Sequence, residues 1–459
     1  MSEHIPSRAG SPAPPHIFSS LVTAPILPTL VALSLPNLLA LGTQSLVAVA
    51  ETTYIGILGT ESLAAMALVF PMIMLTQMMS SGAMGGGVSS AISRALGARD
   101  EARARALALH ALLVGCLCGL LFTVIFLYGG ERIYRALGGE NAVLPLALQY
   151  SGTFFAGAMI IWLFNIFASI ARGTGNMRVP STTVIGVAAL QVILGGVMGL
   201  GLGSIPRFGL AGVAAGQVLA YLAGTITLLL YLRSRHSRLR LTFSGIRLSW
   251  ELFSDILKVG AVSCLSPLQS ILTVILLAKF VAAFGTTALA GYGIGVRLEL
   301  LLVPIAFSIG AASVPMVGMA IGARNVARAR RVAWTAASVS ATIIGAIGCL
   351  AALHPDFWAL LFTTDEMVEQ AAHDYLSVAG FGFAAYGFGL CLYFSSQGSG
   401  QIMGPVLGGT VRLLVVFIGG MMLQMRGGSF SDFALLVTIA MVAYGTATAF
   451  FVWMTNWAR

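Results

Sequence analysis

Long apolar runs, separated by short segments of glycine, proline and charged residues, make up most of the chain after its first 25 residues. Each run is long enough to cross the hydrocarbon core of a bilayer as an α-helix, which takes about 20 residues. The pattern predicts an all-α polytopic membrane protein with twelve transmembrane helices. The predicted spans are 26–55, 62–84, 104–128, 143–167, 180–202, 210–232, 255–284, 288–318, 331–353, 369–396, 405–425 and 432–455.

The composition is that of a membrane protein. Hydrophobic residues make up 58% of the chain and charged residues 9%, with a mean hydropathy of +0.92, whereas soluble domains carry about 25% charged residues. Residues 1–20 are rich in Ser and Pro and lack the apolar core of a signal peptide, so they are predicted to be a disordered cytoplasmic tail. The arginine-rich segment 233–254 is predicted to be a cytoplasmic linker between two six-helix lobes, 21–232 and 255–459.

The two predicted lobes repeat each other at an offset of 225 or 226 residues. Gly59–Ala64 recurs as Gly285–Ala290 (285−59 = 226), Gly97–Arg105 as Gly322–Arg330 (322−97 = 225), and Gly173–Gly175 as Gly398–Gly400 (398−173 = 225). An even number of spans in each lobe gives both lobes the same orientation. The repeat is therefore parallel, with a pseudo-twofold axis along the membrane normal and a cavity between the lobes, which favours a transporter.

The net charge of +9 is distributed unevenly between the two sides of the membrane. Eighteen basic residues fall on the side that holds both termini, and only Arg132, Arg135, Arg207 and Arg426 fall on the other. This asymmetry predicts cytoplasmic termini in an inner (plasma) membrane, and it explains the basic excess without a nucleic-acid partner. The eighteen are Arg8, Arg94, Arg99, Arg103, Arg105, Arg172, Arg178, Arg233, Arg235, Arg238, Arg240, Arg247, Lys258, Arg324, Arg328, Arg330, Arg331 and Arg459.

The first span carries a polar stripe that ends in an acid. Asn37, Gln44 and Glu51 are each seven residues apart, nearly two helical turns, and therefore share one face. Glu51 precedes Gly59 by eight residues, which places its carboxyl roughly 12 Å inside the helix end. A carboxyl at that depth usually faces a protein interior or a wet cavity, because transfer into lipid costs about 2.5–3.5 kcal/mol. Glu51 is therefore predicted to be a coupling residue, and Pro36 to bend the helix below it.

A second set of charges falls within the predicted seventh and eighth spans. Glu299 and Lys279 have similar estimated depths, roughly 16 Å and 9 Å from their helix ends, so they are predicted to face each other. Two interpretations remain open: a structural ion pair, with Arg297 nearby, or a second charge-sensing site in which Glu299 takes part in coupling. Arg412 falls near the cytoplasmic end of its span.

The second span is rich in methionine, a residue that recurs on promiscuous binding surfaces. Met72 and Met79 share a stripe and are candidates to line a substrate cavity, although packing residues would give the same pattern. The stretch Gly82–Gly87 lacks the Gly-Lys-Ser/Thr of a phosphate loop and is predicted to pack closely against another helix. Gln44, Thr52 and Tyr54 near Glu51, together with Gln269 in the seventh span, complete the predicted substrate contacts.

Several of these features together resemble the multidrug and toxic compound extrusion (MATE) family. They are Pro36 with an acid fifteen residues later, the Gly-x-x-x-Leu-Ala-Ala turn from Gly59, the doubled Gly-Ala-Arg loops, Arg172-Gly-x-Gly, and the run Gly291–Arg297. The resemblance implies two six-helix lobes around an outward-opening cavity and cation-driven export of amphiphilic compounds. It also implies that Glu51 is the counterpart of the family's first-helix coupling acid.

The chain departs from that family at three places. Gln191 and Gly195 stand where proton-coupled relatives often carry Asn and Asp on the fifth span. Gln269 stands near the position of the seventh-span acid of sodium-coupled relatives, and Phe388 near the tenth-span acid. These departures argue against a sodium site built from several carboxylates.

The sequence thus predicts a proton-coupled antiporter that exports amphiphilic, cationic compounds as a monomer surrounded by membrane lipids. The alternative within transport is a lipid or lipid-linked precursor flippase of the same superfamily, which a cavity lined mainly by arginine would favour. An enzyme is not expected, since neither His-Glu-x-x-His nor Gly-x-Ser-x-Gly occurs. No organic cofactor or metal is expected, because the five cysteines lie in apolar runs and the histidines are scattered.

Overall fold

The computed structural model describes residues 21–242 and 247–458, and the predicted tail 1–20 lies outside them. The described residues are helical with short connections and contain no β-strand. The helices are α1 (Ile26–Leu58), α2 (Thr60–Gln77), α3 (Gly85–Gly97), α4 (Glu101–Ala136), α5 (Val143–Ala156), α6 (Ala158–Gly173), α7 (Arg178–Leu200), α8 (Gly209–Arg233), α9 (Trp250–Ser263), α10 (Leu265–Ala282), α11 (Thr286–Gly322), α12 (Val326–Leu353), α13 (Pro355–Ala359), α14 (Glu366–Ala379), α15 (Phe383–Ser399), α16 (Met403–Arg426) and α17 (Phe430–Met454).

Several of these helices join end to end into single spans. A π-helical turn, Met78–Met84, connects α2 to α3, and a 3₁₀ turn, Gly380–Gly382, connects α14 to α15. Eleven segments are long and apolar enough to cross a membrane, and the pair α5 and α6, bent by 48°, makes a twelfth. The predicted twelve-span architecture is therefore confirmed.

The repeat seen in the sequence extends to the backbone conformation. Gly59 and Gly285 both have positive φ, as do Gly175 and Gly400. The two Gly-Ala-Arg loops place even a non-glycine residue in the left-handed region, Arg99 at φ 61° and Arg324 at φ 59°. The residue after each arginine, Asp100 or Asn325, then caps the next helix with its side chain. We call α1–α8 the N lobe and α9–α17 the C lobe.

The predicted linker 233–254 is shorter in the structure than in the sequence-based assignment. Helix α8 ends at Arg233 and α9 begins at Trp250, so the last residues of the predicted linker are already helical. Residues 243–246 of this segment lie outside the described residues. Glu251, in the first turn of α9, pairs with Arg103 just after the first Gly-Ala-Arg loop, so the start of α9 and this loop lie on one face of the protein. We call this face the arginine-rich face.

Close packing of the glycine stretch Gly82–Gly87 is confirmed. A Cβ atom added at Gly87 would lie 2.7 Å from the backbone nitrogen of Gly260 and 2.8 Å from its Cα. Helix α3 of the N lobe and α9 of the C lobe therefore touch backbone to backbone. Small residues permit such contacts between helices in membranes.

This contact predicts that Gly87→Ala destabilises the protein. The added methyl group must push α3 and α9 apart, and overpacking of this kind costs about 1–3 kcal/mol. Gly42→Ala is the matched control, since nothing lies within 4 Å of a Cβ at Gly42. Thermal unfolding of the two purified variants should show a lower midpoint for Gly87→Ala alone. Equal midpoints would contradict the close contact.

Candidate functional site

Glu51 lies on the buried stripe of α1. The stripe includes Asn37 and Glu51 and faces the N-lobe core, and Glu51 is only 7% exposed. Pro36 lies inside α1, which continues on both sides of it, although proline leaves the carbonyl four residues earlier without its usual N–H partner. Asn37 and Glu51 of the predicted polar stripe are thus both buried, and the Glu51 carboxyl lies among protein side chains.

Gln191 of α7 is the hydrogen-bond partner of this carboxyl. Its Nε2 donates to Glu51 Oε1 at 2.7 Å, while its own Oε1 has no partner. Tyr54, one turn beyond Glu51, packs its ring over Gly196, where a Cβ would lie 3.1 Å from the ring carbon Cζ. The sequence marked Gln191 only as a departure from the family pattern. A glutamine in an apolar span was the signal that would have identified it.

A polar network inside the N lobe, which could not be recognised from the sequence, joins three of its helices. Asn165 of α6 donates to Gln77 Oε1 at 3.0 Å and to Ser80 Oγ at 2.8 Å, and Gln77 Nε2 bonds the Tyr221 hydroxyl at 2.6 Å. Ser80 belongs to the π-helical turn, a feature that is frequent at functional sites. The network ties the middle of the second span to α6 and α8.

The other predicted substrate contacts in the N lobe differ from one another in their exposure and in their partners. Gln44 is half-buried on the stripe below Glu51. Thr52 is exposed, and its hydroxyl donates to the carbonyl of Ala48 in its own helix at 2.8 Å. Met72 and Met79 are partly buried and pack against the core. The structure shows packing for the two methionines, so a role for them in substrate binding stays a prediction.

The predicted pairing of Lys279 with Glu299 is wrong. Glu299 pairs with Arg412 of α16, with 3.4 Å between Oε1 and Nη2, and Lys279 is exposed and has no ion pair among the described residues. Arg297 points elsewhere, its guanidinium lying 4.9 Å from the ring centroid of Phe362. A similar estimated depth does not fix the direction in which a side chain leaves its helix.

Arg412 is also deeper than its sequence position suggested. It lies nine residues after Met403, the first residue of α16, so roughly 13 Å into the helix, and it is 6% exposed. Its guanidinium carbon is 4.6 Å from the ring centroid of Tyr386. The repeat counterpart of Arg412 is Val187 (412−187 = 225), one turn before Gln191. Both lobes therefore place a polar side chain within about one helical turn of the same level in their fifth span, which is α7 in the N lobe and α16 in the C lobe.

Arg412 lines a small, partly open pocket within the C lobe. Gln269, a predicted substrate contact, is half-buried there and donates to Thr410 Oγ1 at 2.8 Å. The other lining residues are Ser266, Ser270, Thr273, Tyr386, Leu390, Gly409 and Tyr444. In the described residues, no three His, Cys, Asp or Glu side chains are grouped so that they could hold a metal ion.

The two lobes are joined at the arginine-rich face. Asp255 of α9 pairs with Arg94 at 2.6 Å and with Arg103 at 3.3 Å, and Glu251 pairs with Arg103 at 3.0 Å. Arg328 of the C lobe donates to the carbonyl of Ala24 at 2.6 Å. Further inside, a small, partly open pocket lies between the lobes. It is lined by Ser81, Gly82, Gly85, Gly86, Ser89, Arg172, Phe307, Ala311, Val314, Phe394 and Gln397.

A sequence model of the MatE family matches this chain twice, over residues 36–197 and again over 260–422. The chain belongs to the MATE family. The two matches fall one in each lobe, so they also support the internal repeat. The family consists of membrane transporters, and the predicted two-lobed fold is confirmed.

Individual relatives agree with this assignment. The multidrug export protein MepA of Staphylococcus aureus is 24% identical over 88% of this chain and 89% of its own. A FAD transporter of Shewanella oneidensis is 26% identical over 68% of this chain and 69% of its own. A solved structure described as the outward-facing conformation of a multidrug resistance MATE family transporter superposes with a TM-score of 0.85. It is 25% identical, and the match covers 95% of this chain and 97% of that one.

Proposed function

We propose that this MATE protein is a proton-coupled antiporter that exports amphiphilic, cationic compounds by alternating access. The observation that carries the proposal is the contact between the buried Glu51 carboxyl and the Gln191 amide. Glu51 would exchange a proton for a cationic substrate. The ionised carboxylate attracts the cation, and protonation removes that attraction and releases the compound.

Gln191 is suited to both protonation states of Glu51. An amide side chain carries two N–H donors and a carbonyl acceptor. In the present arrangement Nε2 donates to Glu51 Oε1, as it would to an ionised carboxylate. The unpartnered Oε1 of Gln191 is free to accept the proton of a neutral carboxyl after the amide turns over. An ionised aspartate in place of Gln191 would have no N–H group to donate to the ionised Glu51 carboxylate.

The same contacts favour a proton over sodium as the coupling cation. Sodium sites in transporters are built from converging oxygen ligands. The N–H of Gln191 points its positive end at the Glu51 carboxyl, where a sodium ion would have to bind. In the C lobe, the positive charge of Arg412 already balances Glu299. We therefore assign coupling to Glu51 and no coupling role to Glu299 in this conformation.

The closed arginine-rich face supports outward export. If that face is cytoplasmic, as the distribution of Arg and Lys predicts, the lobes are closed toward the cytoplasm. Substrate would then be released on the opposite side. We propose the inner membrane as the location, with both termini cytoplasmic and the monomer as the transporting unit.

The flippase alternative has less support. Among the eleven residues that line the pocket between the lobes, Arg172 is the single charged one, whereas an arginine-lined cavity would favour an anionic lipid precursor. The two relatives above are named a multidrug export protein and a FAD transporter. We expect transport without enzymatic conversion of the compound.

Imposed gradients in proteoliposomes test the coupling ion. Vesicles that contain the purified protein are loaded with ethidium, a fluorescent cationic amphiphile, and proton and sodium gradients are imposed one at a time. We expect a proton gradient to drive ethidium movement and a sodium gradient to leave it at the rate of protein-free vesicles. Transport driven by sodium alone would overturn proton coupling.

A further inference from the structure

The C-lobe pocket has a charge character opposite to that of the Glu51 site. Among its nine lining residues, Arg412 is charged and none is acidic. Ser266, Ser270 and Thr273 line one wall with hydroxyl groups, and Tyr444 lies on another. The aromatic ring of Tyr386 and the side chain of Leu390 add apolar surface.

Arg412 is incompletely satisfied by its protein partners. A guanidinium has five N–H donors, and a charge-assisted N–H···O contact is usually about 2.7–2.9 Å long. Glu299 lies at 3.4 Å from one terminal nitrogen only, and Nε has no hydrogen-bond partner although Arg412 is 6% exposed. Burying a guanidinium with unmade hydrogen bonds is costly, so the site favours a further acceptor.

We propose that this pocket binds the carboxylate of an amphiphilic small molecule, which takes Arg412 over from Glu299. A planar carboxylate matches the fork of a guanidinium, and the hydroxyl group of Ser270, which also lines the pocket, supplies a further donor. Arg412 carries one positive charge, which Glu299 balances in this conformation. A monoanion, or the acidic end of a zwitterion, therefore binds by displacing the Glu299 carboxylate from the guanidinium. The proposal deepens the proposed function by widening its substrate class to compounds that carry a carboxylate.

Benzoate, benzamide and benzylamine provide matched probes, since they share a ring and differ in charge. Equilibrium dialysis of radiolabelled benzoate against the purified protein in detergent measures binding without any ion gradient. The result is therefore independent of whether Glu51 couples transport to protons. We expect saturable benzoate binding that unlabelled benzoate displaces and that benzamide, benzylamine and inorganic phosphate at equal concentration do not.

Two variants move benzoate affinity in opposite directions. Glu299→Gln removes the carboxylate that competes for Arg412, so benzoate should bind roughly tenfold more tightly, as expected for directly contacting residues. The double variant Glu299→Gln/Arg412→Gln should lose saturable binding. It leaves no unpaired charge in the core, so we expect it to fold, which its elution volume on size exclusion checks. Lys279→Gln, which removes an exposed cation of the same lobe, should leave benzoate affinity unchanged.

Several outcomes would overturn the proposal. They are unchanged benzoate affinity in Glu299→Gln, full binding by the double variant, or displacement by benzamide as efficient as by benzoate. Displacement by phosphate as efficient as by benzoate would identify a general anion site instead. If the double variant did not fold, the Glu299→Gln result would still decide, because a merely structural ion pair predicts no gain in affinity.

Discussion

Glu51→Gln should abolish proton-driven efflux while leaving the protein folded. Glutamine keeps the shape and the hydrogen-bonding capacity of the side chain, so the contact with Gln191 at 2.7 Å can be kept. What it removes is the exchangeable proton and the negative charge. In proteoliposomes with an imposed pH gradient, ethidium efflux by this variant should fall to the rate of protein-free vesicles.

Two further variants make the test of Glu51 specific. Glu51→Asp keeps the carboxyl but moves it back along the side chain, so part of the efflux should remain. Glu61→Gln neutralises an exposed acid in the first turn of α2 and should transport at the wild-type rate. Wild-type rates from Glu51→Gln would show that the coupling carboxyl lies elsewhere, and Glu299 would then be the residue to test.

The fold could be predicted from the sequence because its main determinants are local. An apolar run of bilayer length has to satisfy its own backbone hydrogen bonds, and only a helix does so in one segment. The positions of Gly59 and Gly285 marked the turns, and both have the positive φ that glycine tolerates. Repetition of such landmarks at one offset then predicted two lobes of the same orientation.

The candidate site could be predicted only in part, because side-chain direction depends on tertiary packing. Glu51 could be identified from its own helix, since its stripe repeats every seven residues. Its partner Gln191 is 140 residues away on α7, and nothing in the local sequence joins the two. The same limit explains the error at Glu299. Depth suggested Lys279, whereas the packing of α11 against α16 brings Arg412 to the carboxylate.

The ion pairs at the arginine-rich face are the second feature with a large expected effect on transport. Asp255 bridges two arginines of the N lobe, Arg94 and Arg103, and its side chain is about three-quarters shielded from solvent. Removing the Asp255 carboxylate leaves both guanidinium groups without this partner. Because these ion pairs join the two lobes only when the face is closed, their loss destabilises the closed arrangement and not the separated one. The equilibrium should therefore shift toward lobes that are separated at this face.

Asp255→Asn should populate this separated arrangement. A shift of about 1–2 kcal/mol changes the ratio of the two arrangements by roughly five- to thirtyfold. Spin labels at Ala102 and Ala327, two exposed positions related by the repeat (327−102 = 225), report the separation of the lobes after replacement of the five native cysteines. Double electron–electron resonance should show a longer distance in Asp255→Asn and not in Glu101→Gln, whose pair with Arg105 stays within one helix. Identical distance distributions in Asp255→Asn and the parent would mean that backbone contacts such as that of Gly87 with Gly260 hold the face closed without the ion pairs.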